Sequence, residues 1–173
     1  MPICYFDRDA IINQHIPYVG TWDRFKIHHE IIDVMKYFQS AGYQLIIITN
    51  QSGIGRKYFT LKDFFSLSMK MLDLFDSYNI DLEVRFCPHH PKDNCNCRKP
   101  KIGLLTKDKR GELDIFIGDQ DSDMQCAQSA NINHRWLINR TLFSKFATRR
   151  ATNHYNFLNE FKGWHAEDLI FKK

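Results

Sequence analysis

Short apolar runs recur along the chain, and each stops abruptly at a polar cluster. Ile3-Cys4-Tyr5-Phe6 gives way to Asp7-Arg8-Asp9, and Tyr43 to Ile48 gives way to Thr49-Asn50-Gln51-Ser52-Gly53. Leu82 to Phe86 runs into Cys87, Asp114 to Ile117 ends at Gly118-Asp119, and Arg135 to Ile138 forms a fifth run. Runs of this length read as buried strands. Between them lie helical patterns. Ile31, Val34, Met35 and Phe38 recur at helical spacing, with Gly42 placed to stop the helix. Thr60-Leu-Lys-Asp63 has the form of a capping box, and Phe64, Leu67, Met71, Phe75 and Tyr78 then line one face of a long helix. That aromatic stripe reads as core packing. The pattern also predicts a brief helix after Pro100 and another over residues 122–130. Residues 10–29, broken by Pro17 and Gly20, read as a loop. Beyond residue 140 the signal is weak, and a helix or short strand packed on the sheet is expected.

Strands alternating with helices predict a parallel sheet covered on both faces. In such a sheet the carboxyl ends of the strands share one edge, where ligands bind. Four strand ends would therefore bring Asp7/Asp9, Thr49/Asn50, Cys87 with its following loop, and Asp119 to one cleft.

At 173 residues the chain is expected to form a single domain over 1–173, with a core over about 1–139 and a basic extension over about 140–173 packed on it. No apolar run reaches the roughly 20 residues of a membrane helix, and no secretion signal opens the sequence. Residues 135–173 hold eight Lys/Arg against three Asp/Glu. Those cations are scattered, which reads as a solvated basic face rather than a nucleic-acid arm. Five cysteines, three of them within eleven residues, point to metal ligation in a reducing cytoplasm rather than to disulfides. Cys4 and Cys126 read as core thiols.

Cys87, His89, Cys95 and Cys97 make a Cys3His set, which suits a closed tetrahedral zinc site. Arg98 and Lys99 follow at once, so zinc would hold two cations toward a phosphorylated substrate. His90 reads as a loop residue, Asp121 as a turn residue, and His28, His29, His134, His154 and His165 carry no visible pattern. Asp7 has the chemistry of a nucleophile toward phosphorus, and Asp9 that of a general acid/base. Two carboxylates facing a phosphate need a hard cation such as Mg2+, held by Asp7, Asp119 and Asp9 through its backbone carbonyl, with Asp123 behind them. Thr49 and Lys99 would stabilise the phosphoryl group, while the Arg98 fork grips a second part of the substrate.

Together, Phe6-Asp7-Arg8-Asp9, Thr49 to Arg56, Cys87 to His89 with Cys95 to Pro100, and Gly118-Asp119 with Asp123-Met124 resemble the haloacid dehalogenase superfamily. Within it they are similar to the zinc-containing D-glycero-D-manno-heptose 1,7-bisphosphate 7-phosphatases, over about residues 3–138. The resemblance implies a three-layer α/β/α, Rossmann-like fold with a mainly parallel sheet, a zinc loop and no large cap domain. It implies Asp7 as nucleophile, Asp9 as acid/base, Thr49 and Lys99 as phosphoryl stabilisers, and Arg98 as a recognition residue. It also implies Mg2+ on Asp7, Asp9 and Asp119, and a sugar site lined by His15 to Tyr18, Asn50, Gln51, Ser52 and Gln120. The expected partner is a small phosphorylated sugar, with no nucleic acid, no membrane and a monomeric, cytoplasmic protein.

The match has departures. The family usually has Asp-x-Asp-Gly-Thr, and this chain has Asp9-Ala10-Ile11; Lys57 stands where a Gly is common; and the stretch from Lys99 to Gly118 is short. Histidinol-phosphate phosphatase is the nearest rival, but Ser52-Gly-Ile-Gly-Arg56 and Tyr58-Phe59-Thr60 favour the heptose enzyme. A polynucleotide 3′-phosphatase shares the Thr-Asn-Gln-x-Gly-Ile-Gly-Arg stretch, and the basic tail fits that reading, but the zinc loop does not. A zinc-stabilised binding protein without turnover is the third alternative, motivated by Ala10 and Ile11.

Overall fold

The computed structural model describes residues 1–171, with side chains through residue 163; His165 and the end of the basic extension therefore lie outside the described side chains. Six strands form one sheet: β1 (Ile3–Phe6), β2 (Gln44–Asn50), β3 (Glu83–Cys87), β4 (Ile115–Gly118), β5 (His134–Ile138) and β6 (Arg149–Ala151). Their spatial order is β3-β2-β1-β4-β5-β6, and every neighbouring pair is parallel. The helices are α1 (Glu30–Ser40), the short α2 (Ser52–Gly55), α3 (Leu61–Asp76), α4 (Asp121–Ser129) and α5 (His154–Phe171). No helix among the described residues is long and apolar enough to cross a membrane.

Side chains on a strand point alternately to the two faces of the sheet, and this sheet is buried on both. Phe6, Leu45, Ile47, Ile117 and Trp136 belong to one cluster, completed by residues of α1, α3 and α5. Tyr5, Ile46, Ile48, Phe116 and Leu137 belong to the other, with Met124 and Ala127 of α4. The first cluster centres on Phe38, whose ring lies 4.4 Å from Phe161 and 5.2 Å from Tyr43. Truncating a ring so enclosed to alanine costs about 3–5 kcal/mol.

The local signals work as expected where they are strongest. Thr60 Oγ1 accepts from the Asp63 amide at 3.1 Å, and the Asp63 carboxylate accepts from the Thr60 amide at 2.8 Å, which closes the capping box of α3. After α1, Gly42 takes a left-handed φ of +84°, and the Tyr43 amide reaches back to the Phe38 carbonyl at 3.0 Å. Cys4 and Cys126 are buried.

The brief helix expected after Pro100 does not form; residues 103–107 are turns. Side chains have taken the carbonyls a helix would use. Arg85 Nη1 donates to the Leu104 carbonyl at 3.1 Å and Arg110 to that of Leu105, while Arg110 Nε also donates to the Ala130 carbonyl at the end of α4. Asp108 ties this segment to the sheet, accepting from Arg85 at 2.6 and 2.9 Å and from the Tyr5 hydroxyl at 2.8 Å. A short stretch is thus braced against β1 and β3 by ion pairs rather than by helical packing.

The pattern-poor C-terminal stretch supplies both a strand and a helix. β6 adds beside β5, and α5 returns over the sheet to pack Phe157 and Phe161 against Phe38 and Trp136. Buried His154, at the start of α5, is within 2.7 Å of the Ile11 carbonyl through Nε2.

Candidate active site

The strand ends meet as the alternation implies. A cavity of about 460 Å³ at the carboxyl edge is lined by Asp7, Asp9, His15, Asn50, Arg98, Lys99, Asp119, Gln120, Ser122 and Asp123. At its floor the buried Lys99 ammonium donates to Asp7 Oδ1 at 2.7 Å and to the Ile48 carbonyl at 2.8 Å, and pairs with Asp123 Oδ1 at 2.7 Å. Burial opposes a charge on Lys99, but the carboxylates of Asp123 and Asp7 overcome it and hold the amine above its ordinary range. Burial raises the Asp7 carboxyl well above the usual value; Lys99 opposes that shift, and Asp123, Asp119 and Asp9 add to it. Burial and the Asp123 charge likewise push Asp119 up to about 6.

Asp123, expected behind the metal ligands, stands with its carboxylate beside those of Asp7 and Asp119. One oxygen from each lies within 4.8 Å of the others. Its Oδ2 also accepts from the Asp119 and Gln120 amides at 3.2 and 3.0 Å. Gly118 permits this close fold, because a Cβ there would stand 2.5 Å from the Asp123 Cβ. Three buried carboxyl groups face one ammonium, so ionising all three without a cation would leave net negative charge. The donor set is all oxygen, so a hard divalent cation fits it.

Asp9 lies at the rim with its carboxylate turned to other partners. Arg8 Nη2 donates to its two oxygens at 2.9 and 3.1 Å, Asn13 at 3.1 Å and Gln51 at 3.0 Å. Gln51 Nε2 also donates to Thr49 Oγ1 at 2.8 Å, so one buried amide orients both side chains. Asn50 clamps the Lys99 backbone. Of the residues expected to touch sugar, His15, Asn50, Arg98 and Gln120 line the cavity; Tyr18, Gln51 and Ser52 do not. Gln51 lies beneath, while Tyr18 packs edge-on against Tyr58 at 4.7 Å. Ser122 and Asn13 lie outside the motifs, and Arg8, within Phe6-Asp7-Arg8-Asp9, carries no role there. Arg98 Nη1 is buried without a hydrogen-bond partner, an open donor beside the cavity.

Beside this cavity, Cys87, His89, Cys95 and Cys97 each bring one ligand atom within 4.8 Å of the rest. Cys95 Sγ stands 3.5 Å from both Cys87 Sγ and Cys97 Sγ, and His89 Nδ1 stands 3.2 Å from Cys97 Sγ. A disulfide needs about 2.05 Å, whereas sulfurs about 2.3 Å from a tetrahedral zinc lie about 3.8 Å apart. The set fits zinc. The loop is keyed to the end of β2: the Gln51 amide donates to the Cys87 carbonyl at 2.8 Å and the Gly55 amide to the Pro88 carbonyl at 2.9 Å. A Cβ on Gly55 would come within 2.4 Å of the His90 backbone nitrogen. His90 itself points Nδ1 at the Lys92 amide.

Residues 3–132 match the family model described as polynucleotide kinase 3 phosphatase. A D-glycero-beta-D-manno-heptose-1,7-bisphosphate 7-phosphatase of Helicobacter pylori is 38% identical over 141 residues, 78% of this chain and 82% of the relative. The alpha-anomer enzyme of Campylobacter jejuni is 39% identical over 164 residues, 91% of this chain and 94% of the relative. This chain belongs to the heptose-bisphosphate phosphatase family. Its relatives are named as phosphatases, and this chain is a phosphatase. The crystal structure of D,D-heptose 1.7-bisphosphate phosphatase from B. bronchiseptica, complexed with magnesium and phosphate, shares the fold at a TM-score of 0.83 and 22% identity, covering 94% of this chain and 99% of that one.

Two of the departures from the family pattern share a backbone geometry. Ala10 has φ +67° and Lys57 φ +62°. Both hold a left-handed backbone, which glycine adopts without strain. The chain turn after Asp9 is thus made by a residue that carries a side chain.

Proposed function

We propose that this chain removes the C7 phosphate of D-glycero-D-manno-heptose 1,7-bisphosphate, in a Mg2+-dependent reaction passing through an aspartyl-phosphate on Asp7. The observation that carries the reading is the 2.7 Å contact between Lys99 Nζ and Asp7 Oδ1 inside a cavity that Asp119 and Arg98 also line. Asp7 attacks phosphorus as the bond to the C7 oxygen breaks, and Asp9 gives that oxygen a proton. Asp9 then takes a proton from water, whose oxygen attacks phosphorus, and the bond to Asp7 breaks to release orthophosphate. Lys99 offsets charge on the phosphoryl oxygens. The Thr49 hydroxyl accepts from Gln51, which leaves its own proton to donate to the same group. Arg98, with its open Nη1, His15 and Gln120 contact the sugar or its second phosphate, while Asn50 and Gln51 act through Lys99 and Asp9. Asp7, Asp119 and the Asp9 carbonyl would hold Mg2+, with Asp123 beside them, and the ion would neutralise the phosphate and align it with Asp7. Cys87, His89, Cys95 and Cys97 would hold structural zinc. We assign the whole chain to one cytoplasmic, monomeric phosphatase domain acting on a small phosphorylated sugar.

The test is phosphate release from both anomers of heptose 1,7-bisphosphate, from histidinol phosphate and from a 3′-phosphorylated oligonucleotide. The reading expects the bisphosphate to give the highest kcat/KM. Preference for the oligonucleotide would move the assignment to the description of the matched family model, and release from none would identify a non-catalytic homologue.

A further inference from the structure

We propose that Lys101 is a positioning residue for the metal clip, closing the ligand-bearing loop on itself so that zinc is held against release. This rests on the zinc reading above. The exposed Lys101 ammonium donates to the Asn94 carbonyl at 3.0 Å, to Asn94 Oδ1 at 2.7 Å and to the Cys95 carbonyl at 2.8 Å. Those acceptors lie at the turn that delivers Cys95. Asn94 itself holds a left-handed conformation, φ 45° and ψ 35°, at the end of the single 3-10 turn Pro91–Asp93. That is an unfavoured conformation for a residue with a side chain, although Asn tolerates it better than most. Something has to hold it there, and the ammonium contacts it twice.

The other end of the tie is fixed. The Lys101 amide donates to the Arg98 carbonyl at 2.9 Å, and the Cys126 thiol of α4 donates to the Lys101 carbonyl at 3.3 Å. The Gly103 amide donates to the Asn96 carbonyl at 3.1 Å, with so little space that a Cβ on Gly103 would come within 2.4 Å of that oxygen. The segment from Asn94 to Lys101 is thus a closed ring, made by one side chain, with Cys95, Cys97, Arg98 and Lys99 on its circumference. Zinc with three thiolates and one imidazole carries a net charge of about −1, and an ammonium on the Cys95 carbonyl counters it. Groups that orient metal ligands in this way typically change metal affinity by about 10–100-fold when removed. The ammonium is on the surface, so its loss removes little from the overall stability of the fold.

The experiment measures zinc transfer from purified, zinc-loaded protein to a chromogenic chelator in excess, for the parent, Lys101→Met and Lys101→Arg. We expect Lys101→Met to release zinc at least about tenfold faster than the parent, at the scale of such ligand-orienting groups. Lys101→Arg, which keeps the charge and the reach, restores most of the difference. Equal release rates for Lys101→Met and parent, both zinc-loaded, overturn this inference and leave the clip standing. A parent protein that binds no zinc removes the clip and the inference together.

Discussion

Asn50 and Lys99 are joined twice through a single amide side chain: Asn50 Nδ2 donates to the Lys99 carbonyl at 3.2 Å, and Asn50 Oδ1 accepts from the Lys99 amide at 3.0 Å. The last residue of β2 thereby fixes the backbone of the cation that faces Asp7. Asn50→Ala removes both bonds while leaving every ionisable group in place. Misplacement of a reacting group by an ångström can lower rate by about 10²-fold, so kcat is expected to fall by about 10–100-fold. Steady-state phosphate release measures it; an unchanged kcat would mean that Lys99 is positioned without Asn50.

Asp7→Asn is expected to lower kcat by at least about 10³-fold, since removal of a nucleophile leaves only binding and electrostatic assistance. Its stability effect has the opposite sign to intuition. Burial, together with Asp123, Asp119 and Asp9, disfavours the charged form of Asp7 more than Lys99 favours it. In metal-free buffer near pH 7 the variant should therefore melt no lower than the parent, as differential scanning fluorimetry with a chelator present would report.

Asp119, held at about 6 against an ordinary 3.8, makes metal binding pH-dependent. Proton and cation compete for one carboxylate, so Mg2+ affinity should weaken by about tenfold per unit below pH 6. The folded metal-free state binds this proton more tightly than the unfolded chain does. Its stability consequently falls as pH rises from about 4 to 6 and stays lower above. Calorimetric Mg2+ titrations at pH 5 and 7 test the first statement, and urea unfolding with chelator across the same window tests the second.

The left-handed backbone at Ala10 and Lys57 predicts stabilisation by glycine. Relief of about 1–2 kcal/mol of strain outweighs the about 0.4–1 kcal/mol lost to a more flexible unfolded chain. Ala10→Gly and Lys57→Gly should each raise unfolding free energy by about 0.5–1 kcal/mol. A drop in the urea midpoint for either would show that its side chain makes contacts worth more than the strain.

Much of the site was legible because chemistry-bearing residues follow apolar runs directly, and a parallel sheet leaves those strand ends little choice of location. Asp7, Asn50 and Asp119, which line the cavity, are of this kind, as is Cys87 of the Cys3His set; Thr49 is buried and does not line it. What stayed hidden depends on partners distant in the chain. The turns at 103–107 arise because Arg85 and Arg110 take backbone carbonyls, which no local propensity records. Asp123 joins Asp7 and Asp119 only because Gly118 lets α4 begin so close to the sheet. The hold of Arg8, Asn13 and Gln51 on Asp9 needs the turn after β1 and the end of β2 to be folded together before it exists. β6 carries two arginines and one buried alanine, too little apolar pattern to announce a strand.

The outermost strands of the sheet have a bearing on how the molecule behaves in a crowd. β3 spans five residues and carries Glu83 paired with Arg85 at 2.7 Å, and β6 spans three residues and carries Arg149 and Arg150. A foreign strand seeking the unpaired backbone at either border would have to strip water from those charges along a very short ladder. The fold thereby discourages copies from zipping together edge to edge, and a concentrated preparation should remain dispersed rather than grow fibrils.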